Sequence, residues 1–424
     1  MNYSIKDFTL EEKLLLLTGQ DNWSTHDLNG KLRPVFMADG PSGLRKIERL
    51  EKSDLIGVTY DTNGNYTVPA TAMPTLSVLA NTWNKELCAL DGATIADDCI
   101  ENGVDILLAP GVNIKRNALN GRNFEYFSED PLLSGDMGRA FIEGLQSKGI
   151  GASLKHYVAN NSEHDRNGTS SEVDERTLRE IYLPAFEECV KAKPWTVMCS
   201  YNPINGIYAS AHKKLLKTVL RKELGFDGVI VSDWGAVHDH PKAVQATCDL
   251  RMPYDQNAYE ELKSAYEKGL LTEEEIDFCV QNILNLIEKT QNAVKKTSYT
   301  KEQRHENAVQ IAQEGIVLLK NEDGILPLQS GTSLAVLGQP NMCPPLGGGG
   351  SSAVVTAYPQ PKLSDLLGKA LHSTVHSCRA SWGDTLNTVS LLKYHYEKVY
   401  HSDVASSAWA NKRLSLRRVV IGKV

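Results

Sequence analysis

Seven side chains with chemical capacity stand at or beyond the ends of short apolar runs in this chain. Val35-Phe36-Met37-Ala38 ends at Asp39, and GIGASLKHY ends in Lys155 and His156. TVMCSYN ends at Tyr201 and Asn202, and Val229-Ile230-Val231 ends in Ser232-Asp233-Trp234. GVDILLAPGV is followed by a long excursion that contains Arg122. A carboxylate at the end of a buried apolar run is costly unless a partner or a function keeps it there. Asp39 and Asp233 offer acceptors, Arg122, Lys155 and His156 offer donors, and Tyr201 and Trp234 offer flat faces. Such a set suits a carbohydrate, whose hydroxyls bond to charged groups and whose C–H faces stack on aromatic rings.

The runs that carry these residues alternate with helical patterns. Residues 5–18 read as an amphipathic helix, and helices are expected over 84–102, 134–147, 174–191 and 212–224, with two more within 259–293. Strand-then-helix alternation over about 250 residues means a parallel sheet, either doubly wound or closed into a barrel. In a (β/α) barrel the side chains at successive strand ends converge on one face, where active sites are built. In an open sheet they spread along an edge, so convergence favours the barrel. Gly40-Pro41 forces a turn directly after Asp39. Residues 45–68 read as a polar, irregular loop, and NIKRNALNGRNFEYFSEDP as a long loop whose aromatic content points to an ordered, functional segment.

Composition excludes several classes. The 424 residues hold 45 Lys and Arg against 52 Asp and Glu, and a net charge of −7 gives no footing for nucleic acid. No apolar stretch is long enough to span a membrane, and the N-terminus lacks a secretory pattern, so a cytoplasmic location is expected. The 8 cysteines contain no CxxC, which indicates neither a zinc site nor a disulfide framework. No metal or other cofactor is expected. GGGGSSAVV lacks the context of a phosphate loop, and His238, Asp239 and His240 read as a helix start. Cys199 and Cys248 read as small apolar strand residues, Glu129 and Asp130 as buried anchors of the long loop, and Met252 as a lining residue of the site.

The motifs DGPSGLR, NGRNFEYFSEDP, LKHYVANNSE, VDERTLREIYLPAFE, CSYNPING and GVIVSDWG occur in this order. Together they resemble glycoside hydrolase family 3, in its β-glucosidase branch, over roughly residues 5–370. The resemblance implies an α/β chain with a TIM-like (β/α) barrel at 1–295, a linker at 296–305 and the start of an α/β sandwich domain at 306–371. It implies retention of anomeric configuration with Asp233 as the nucleophile. Asp39, Arg122, Lys155 and His156 then hold the sugar hydroxyls, Trp234 walls the glycone subsite, and Tyr201 lies beside the nucleophile. Asp39 favours glucose over a pentose, because a carboxylate there reaches the hydroxyls at C4 and C6.

The second carboxyl has no candidate. In relatives the acid/base is a Glu from a loop of the sandwich domain, and here Glu397 is the sole Glu of residues 372–424, in a context that does not recommend it. His164 lies where the β-N-acetylglucosaminidase branch carries its acid, but YVANNSEHD lacks the Pro-Gly-His pattern of that branch, so His164 reads as an exposed loop residue. Residues 372–424 hold 8 Lys and Arg against 3 Asp and Glu and do not resemble the family. They read as a tail after an incomplete sandwich, as from a truncation or a frame shift near residue 371, with a genuinely short family member as the alternative. The expected function is a retaining β-glucosidase acting on cellobiose, oligosaccharides or aryl glycosides. The alternatives are a sugar-binding chain lacking its acid, a β-xylosidase, or a metal-dependent barrel hydrolase using the His238 region.

Overall fold

The computed structural model describes residues 3–48, 67–338, 350–379 and 420–423. Most of the expected irregular loop at 45–68, and Glu397, lie outside the described residues. Two compact units are present: Met1–Val317 with Gly347–Ala357, and Leu318–Leu346 with Tyr358–Val424.

The first unit is built on a five-stranded parallel sheet in the order β1 (Met37–Asp39), β2 (Ile106–Leu108), β3 (Gly151–Tyr157), β4 (Thr196–Cys199) and β5 (Val229–Ser232). Strand order follows chain order, so each crossover carries a helix. After α1 (Leu10–Leu16), the helices α2 (Leu76–Asn81) and α3 (Lys85–Glu101) follow β1. Next come α4 (Pro131–Gln146) after β2, α5 (Pro184–Val190) after β3 and α6 (Lys214–Glu223) after β4. Beyond β5 lie α7 (His240–Gln245), α8 (Ala258–Glu267), α9 (Glu273–Asn292) and α10 (Lys301–Gly315). Caps set several of these starts: Thr9, Thr272 and Thr300 each form a reciprocal capping box, and Asp130 accepts the Leu133 N–H at 2.9 Å.

Both faces of the sheet are buried, as a parallel sheet requires. Successive side chains in a strand point to opposite faces, and they enter two separate cores. Ala38, Leu107, Val197 and Ile230 join one apolar cluster with α3 to α6. Met37, Ile106, Leu108, Met198, Val229 and Val231 join the other, with α1, α8 and α9. The sheet also curls. Single-residue bridges carry it from Val231 to Leu250, from Arg251 to Thr18, from Gly19 to Thr25 and from Ser24 to Phe36, one residue before β1.

Helices α3 and α4 meet at backbone contact. A Cβ on Gly92 would lie 2.3 Å from the Phe141 carbonyl oxygen, and one on Gly144 2.0 Å from that of Ala89. On α3, Asp91 is 1% exposed and neither carboxylate oxygen has a hydrogen-bond partner among the described residues. Burial raises its pKa well above the usual carboxylate range. An acid with a raised folded pKa costs stability above its unfolded pKa, and that cost grows as pH rises toward the folded value. Asp91→Asn cannot ionise, so its stability relative to the parent chain rises between pH 5 and pH 8. Urea unfolding at the two pH values checks this, and an equal difference at both would contradict it.

Helix α10 runs through residues 306–315, and no strand follows it over 316–320. α10 starts at Lys301 and belongs to the first unit, packing on α2 and α3. Its Arg304 is bonded to Asp98 at 2.7 Å and to Glu101 at 2.7 Å. Ile316, Val317, Leu318 and Leu319 form no strand and are 73%, 55%, 59% and 92% exposed.

In the second unit, β6 (Leu334–Gly338) lies between β7 (Val375–Arg379), parallel to it, and β8 (Val420–Lys423), antiparallel. Helix α11 (Leu363–Leu371) precedes β7. Residues expected as an unlike tail thus supply two of the three strands. Among the described residues no helix is long and apolar enough to cross a membrane.

Candidate active site

The C-terminal ends of the five parallel strands open into a cavity of about 400 Å³, and all seven residues singled out from the sequence line it. Each arrives differently. Asp39 is the last residue of β1, and the DGPSGLR turn folds back so that Arg45 reaches its Oδ2 at 2.9 Å. Gly43 makes that return possible: its φ is +113°, and a Cβ there would lie 2.2 Å from the Thr71 carbonyl oxygen. Burial raises the Asp39 pKa, opposed by Lys155 and Arg45.

Lys155 and His156 sit within β3, 2% and 0% exposed. His156 Nε2 faces Arg122 Nη2 at 2.8 Å, and Nδ1 faces the Tyr126 hydroxyl at 3.1 Å. Burial, then the charges of Arg122, Lys155 and Arg166, push the imidazole pKa well below 6.5, so it is neutral at pH 7. A guanidinium can only donate, so Nε2 accepts and Nδ1 carries the proton. Although Nε2 lies 3.5 Å from Asp233 Oδ2, the two lone pairs cannot bond, and this contact is no ion pair.

Asp233 directly follows β5. Its Oδ1 accepts the Trp234 N–H at 2.8 Å. Its Oδ2 is buried and makes no short hydrogen bond among the described residues, with Arg122 Nη1 in ion-pair range at 3.6 Å. One carboxylate oxygen is therefore held by the backbone, and the other has only longer-range neighbours. Tyr201 is 9% exposed, and its hydroxyl pKa is pushed up by burial and then by the Asp233 charge. Trp234 donates its indole N–H to the Asn22 carbonyl at 2.8 Å.

Sequence reasoning missed Glu125, the residue that ties the cations together. It is 0% exposed, ion-paired with Arg122 Nε, 3.3 Å from Lys155 Nζ, and accepts from Ser351 Oγ at 3.1 Å. Burial acts to raise its pKa, but Arg122 and Lys155 prevail and hold it at about 2. Its placement three residues after Arg122 in the long loop was the available signal. Trp23, Phe124, Glu163 and Arg166 also line the cavity. Glu163 pairs with Arg166 at 2.8 Å, and the Arg166 guanidinium lies 4.0 Å over the Tyr201 ring.

Other expectations change. Met252 does not line the cavity; it is fully buried with its sulfur against Gly19. Glu129 and Asp130 are exposed rather than buried, and Asp130 caps α4. Arg251 holds Asp255 and Glu261 and shares a bridge with Thr18, which explains its charge at that rim. Asp239 caps α7, His238 stacks on Tyr208 at 3.8 Å, and His164 is exposed. Among the described residues no group of three or more His, Cys, Asp and Glu is disposed to hold a metal ion.

Comparison with known proteins gives a consistent set. The Glycosyl hydrolase family 3 N terminal domain matches residues 55–286. The thermostable beta-glucosidase B of Acetivibrio thermocellus is 44% identical over 397 residues, which is 93% of this chain and 50% of that protein. The exo-alpha-(1->6)-L-arabinopyranosidase of Bifidobacterium longum is 43% identical over 364 residues, 83% of this chain and 47% of that one. The structure of beta-glucosidase 3B from Thermotoga neapolitana in complex with glucose superposes with a TM-score of 0.78 at 36% identity, covering 94% of this chain and 57% of the other. The chain spans about half the length of the curated relatives it matches.

Proposed function

The chain belongs to glycosyl hydrolase family 3, and from that premise we propose that it is a retaining exo-β-glucosidase with Asp233 as nucleophile. The curled sheet is then the family's (β/α) barrel, with the cavity at the C-terminal ends of its strands, and the second unit is the start of the sandwich. The observation that carries the reading is the buried Asp233 carboxylate in a cavity lined by Arg122, Lys155 and Tyr201, its Oδ2 making no short hydrogen bond among the described residues.

In the first step Oδ2 attacks C1 of a terminal β-glucosyl residue, and the C1–O bond to the leaving group breaks. In the second, water displaces Asp233 and regenerates the β-configuration. Asp39 accepts from the C4 and C6 hydroxyls, and Lys155, Arg122 and neutral His156 hold the remaining hydroxyls. Arg122, at 3.6 Å from Oδ2, offers the carboxylate a counter-charge without capping it with a short hydrogen bond. The Tyr201 hydroxyl, on the same cavity wall, steadies the carboxylate. No acid/base carboxyl is assigned. Substrates are the terminal non-reducing glucosides of cellobiose, oligosaccharides or aryl glycosides, and no cofactor enters either step.

A second reading has one observation behind it: the arabinopyranosidase relative at 43% identity. A pentopyranoside lacks the C6 hydroxymethyl that Asp39 is placed to hold. The 4-nitrophenyl β-D-glucopyranoside and α-L-arabinopyranoside carry the same good leaving group, so their kcat/KM ratio isolates the sugar. The glucoside is expected to exceed the arabinopyranoside at least about tenfold, which is ~1.4 kcal/mol, and Asp39→Ala is expected to erase the difference. An arabinopyranoside preference would replace the first reading with the second.

A further inference from the structure

A second concave surface lies in the helical layer, between α3 and α4. Trp83, Leu132, Lys85 and Asp136 edge a cavity of about 160 Å³ whose more buried members are Leu133 and Met137. A groove of about 390 Å³ adjoins it through the shared Lys85 and Asp136 and continues along Arg139, Glu143 and Glu188. None of these residues lines the cavity that holds Asp233. A helix that follows a parallel strand runs back antiparallel to it. The starts of α3 and α4, where Trp83 and Leu132 stand, therefore lie on the same side of the sheet as that cavity.

Trp83 is a costly residue at its place. It follows the end of α2 with φ +53°, the left-handed conformation that suits glycine and that a bulky side chain resists. Its backbone is nonetheless pinned. The Trp83 N–H donates to the Ala80 carbonyl at 3.1 Å, Thr82 Oγ1 donates to the Leu79 carbonyl at 2.7 Å, and Asn84 Oδ1 accepts from the Glu86 N–H at 3.0 Å. The side chain gains little from the core in return: Trp83 is 74% exposed, and Leu132 in the same cavity is 70% exposed. A rigidly held, exposed indole is a preorganised flat apolar face.

The polar part of the groove carries both signs in pairs. Lys85 faces Asp136 at 3.4 Å, and Arg139 holds Glu143 at 2.8 Å and Glu188 at 2.9 Å. Both cations are engaged by carboxylates, so the groove offers no spare positive charge to a phosphate or an acidic chain. These carboxylates are matched in turn, with Lys191 also on Glu188. Paired groups keep spare donor and acceptor positions, at which neutral hydroxyls bond. A stable dimer buries roughly 1,200–2,000 Å² around an apolar centre, and two exposed apolar side chains beside paired charges do not supply one. We propose that this groove binds a neutral polysaccharide chain outside the catalytic cavity, with one pyranose C–H face stacked on Trp83 and the hydroxyls of the following sugars along the ion pairs. The assignment does not depend on the role of Asp233.

Native electrophoresis of the full chain through gels containing soluble mixed-linkage β-glucan or soluble xylan tests it. The parent chain is expected to be retarded by at least one polymer, and Trp83→Gly to bind that polymer at least about tenfold more weakly. Glycine suits φ +53°, so this variant removes the indole without straining the backbone, and its urea midpoint is expected to be no lower than the parent's. Trp83→Phe keeps a flat face and is expected to keep most of the retardation. Asp39→Asn changes the catalytic cavity alone and is expected to leave retardation unchanged. Equal retardation of the parent and Trp83→Gly overturns the assignment, as does a parent retarded by neither polymer. Retardation lost in Asp39→Asn and kept in Trp83→Gly moves the polymer to the catalytic cavity and overturns it too. A parent that ignores both polymers but dimerises in sedimentation, with Trp83→Gly monomeric, gives the surface to a second copy instead. Each of these failures leaves the glycosidase reading standing, since trapping at Asp233 tests that reading separately.

Discussion

Asp233→Asn lowers the rate of leaving-group release from an activated β-glucoside by about 10³-fold or more and leaves the fold intact. The amide has the shape of the carboxylate and keeps an oxygen to accept the Trp234 N–H that now bonds to Oδ1 at 2.8 Å. It lacks the one thing the first step requires, an anionic carboxylate oxygen. Oδ2 stays available for attack because its nearest charged and ring neighbours bond it weakly: His156 presents a lone pair at 3.5 Å, and Arg122 Nη1 stands off at 3.6 Å. The variant should still bind glucose, since Asp39, Lys155 and His156 are untouched. Stopped-flow release of dinitrophenolate and a parallel urea melt separate the two consequences. A variant that retains a tenth of the parent rate would remove Asp233 from the role.

Glu125→Ala has the opposite profile, with damage to the fold first and activity second. Glu125 touches no part of the cavity's free space, yet it neutralises Arg122 and Lys155 from behind and is itself tied to Ser351. Removing one partner of a buried ionic cluster leaves uncompensated charge, which costs about 3–5 kcal/mol. Here two buried cations lose their counterion together. The pH dependence follows from the folded pKa of about 2, well below the usual carboxylate range. A depressed carboxylate pKa contributes stability that is fully present above the unfolded value and is lost as pH falls toward the folded one. The parent chain should therefore weaken between pH 5 and pH 2 through this group, and Glu125→Ala should lack that component. Urea midpoints of both proteins across this range test it. Equal midpoints at pH 7 would mean that the cluster contributes nothing.

Much of this arrangement was legible in the sequence because strand ends are local. Asp39, Lys155, His156 and Asp233 sit on or next to short apolar runs, and the parallel sheet brings such ends to one side whatever lies between them. Arg122 and Tyr201 stand beyond the ends of such runs, and both line the same cavity. What stayed hidden depends on pairings distant in the chain. Glu125 is one carboxylate among several in its loop, and only the approach of Lys155 from β3 distinguishes it from Glu129 and Asp130. The curl of the sheet runs through Thr18, Thr25 and Arg251, each contributing a single bridged residue, too little for any periodicity. Trp23 was missed for the same reason, since the loop that aims it is defined by those bridges. Met252 misled because an apolar residue after a strand suggested a subsite wall, whereas its sulfur fills the space that Gly19 leaves.

The central claim is that Asp233 attacks the anomeric carbon of a β-glucoside. Intact-mass analysis of the folded chain after incubation with 2,4-dinitrophenyl 2-deoxy-2-fluoro-β-glucoside tests it most directly, because that leaving group departs without acid assistance. The account predicts one added fluoroglucosyl mass, located by fragmentation on the peptide bearing Ser232-Asp233-Trp234 and absent from Asp233→Asn. An unlabelled but folded chain, or an adduct on a different carboxylate such as Glu163, would contradict it.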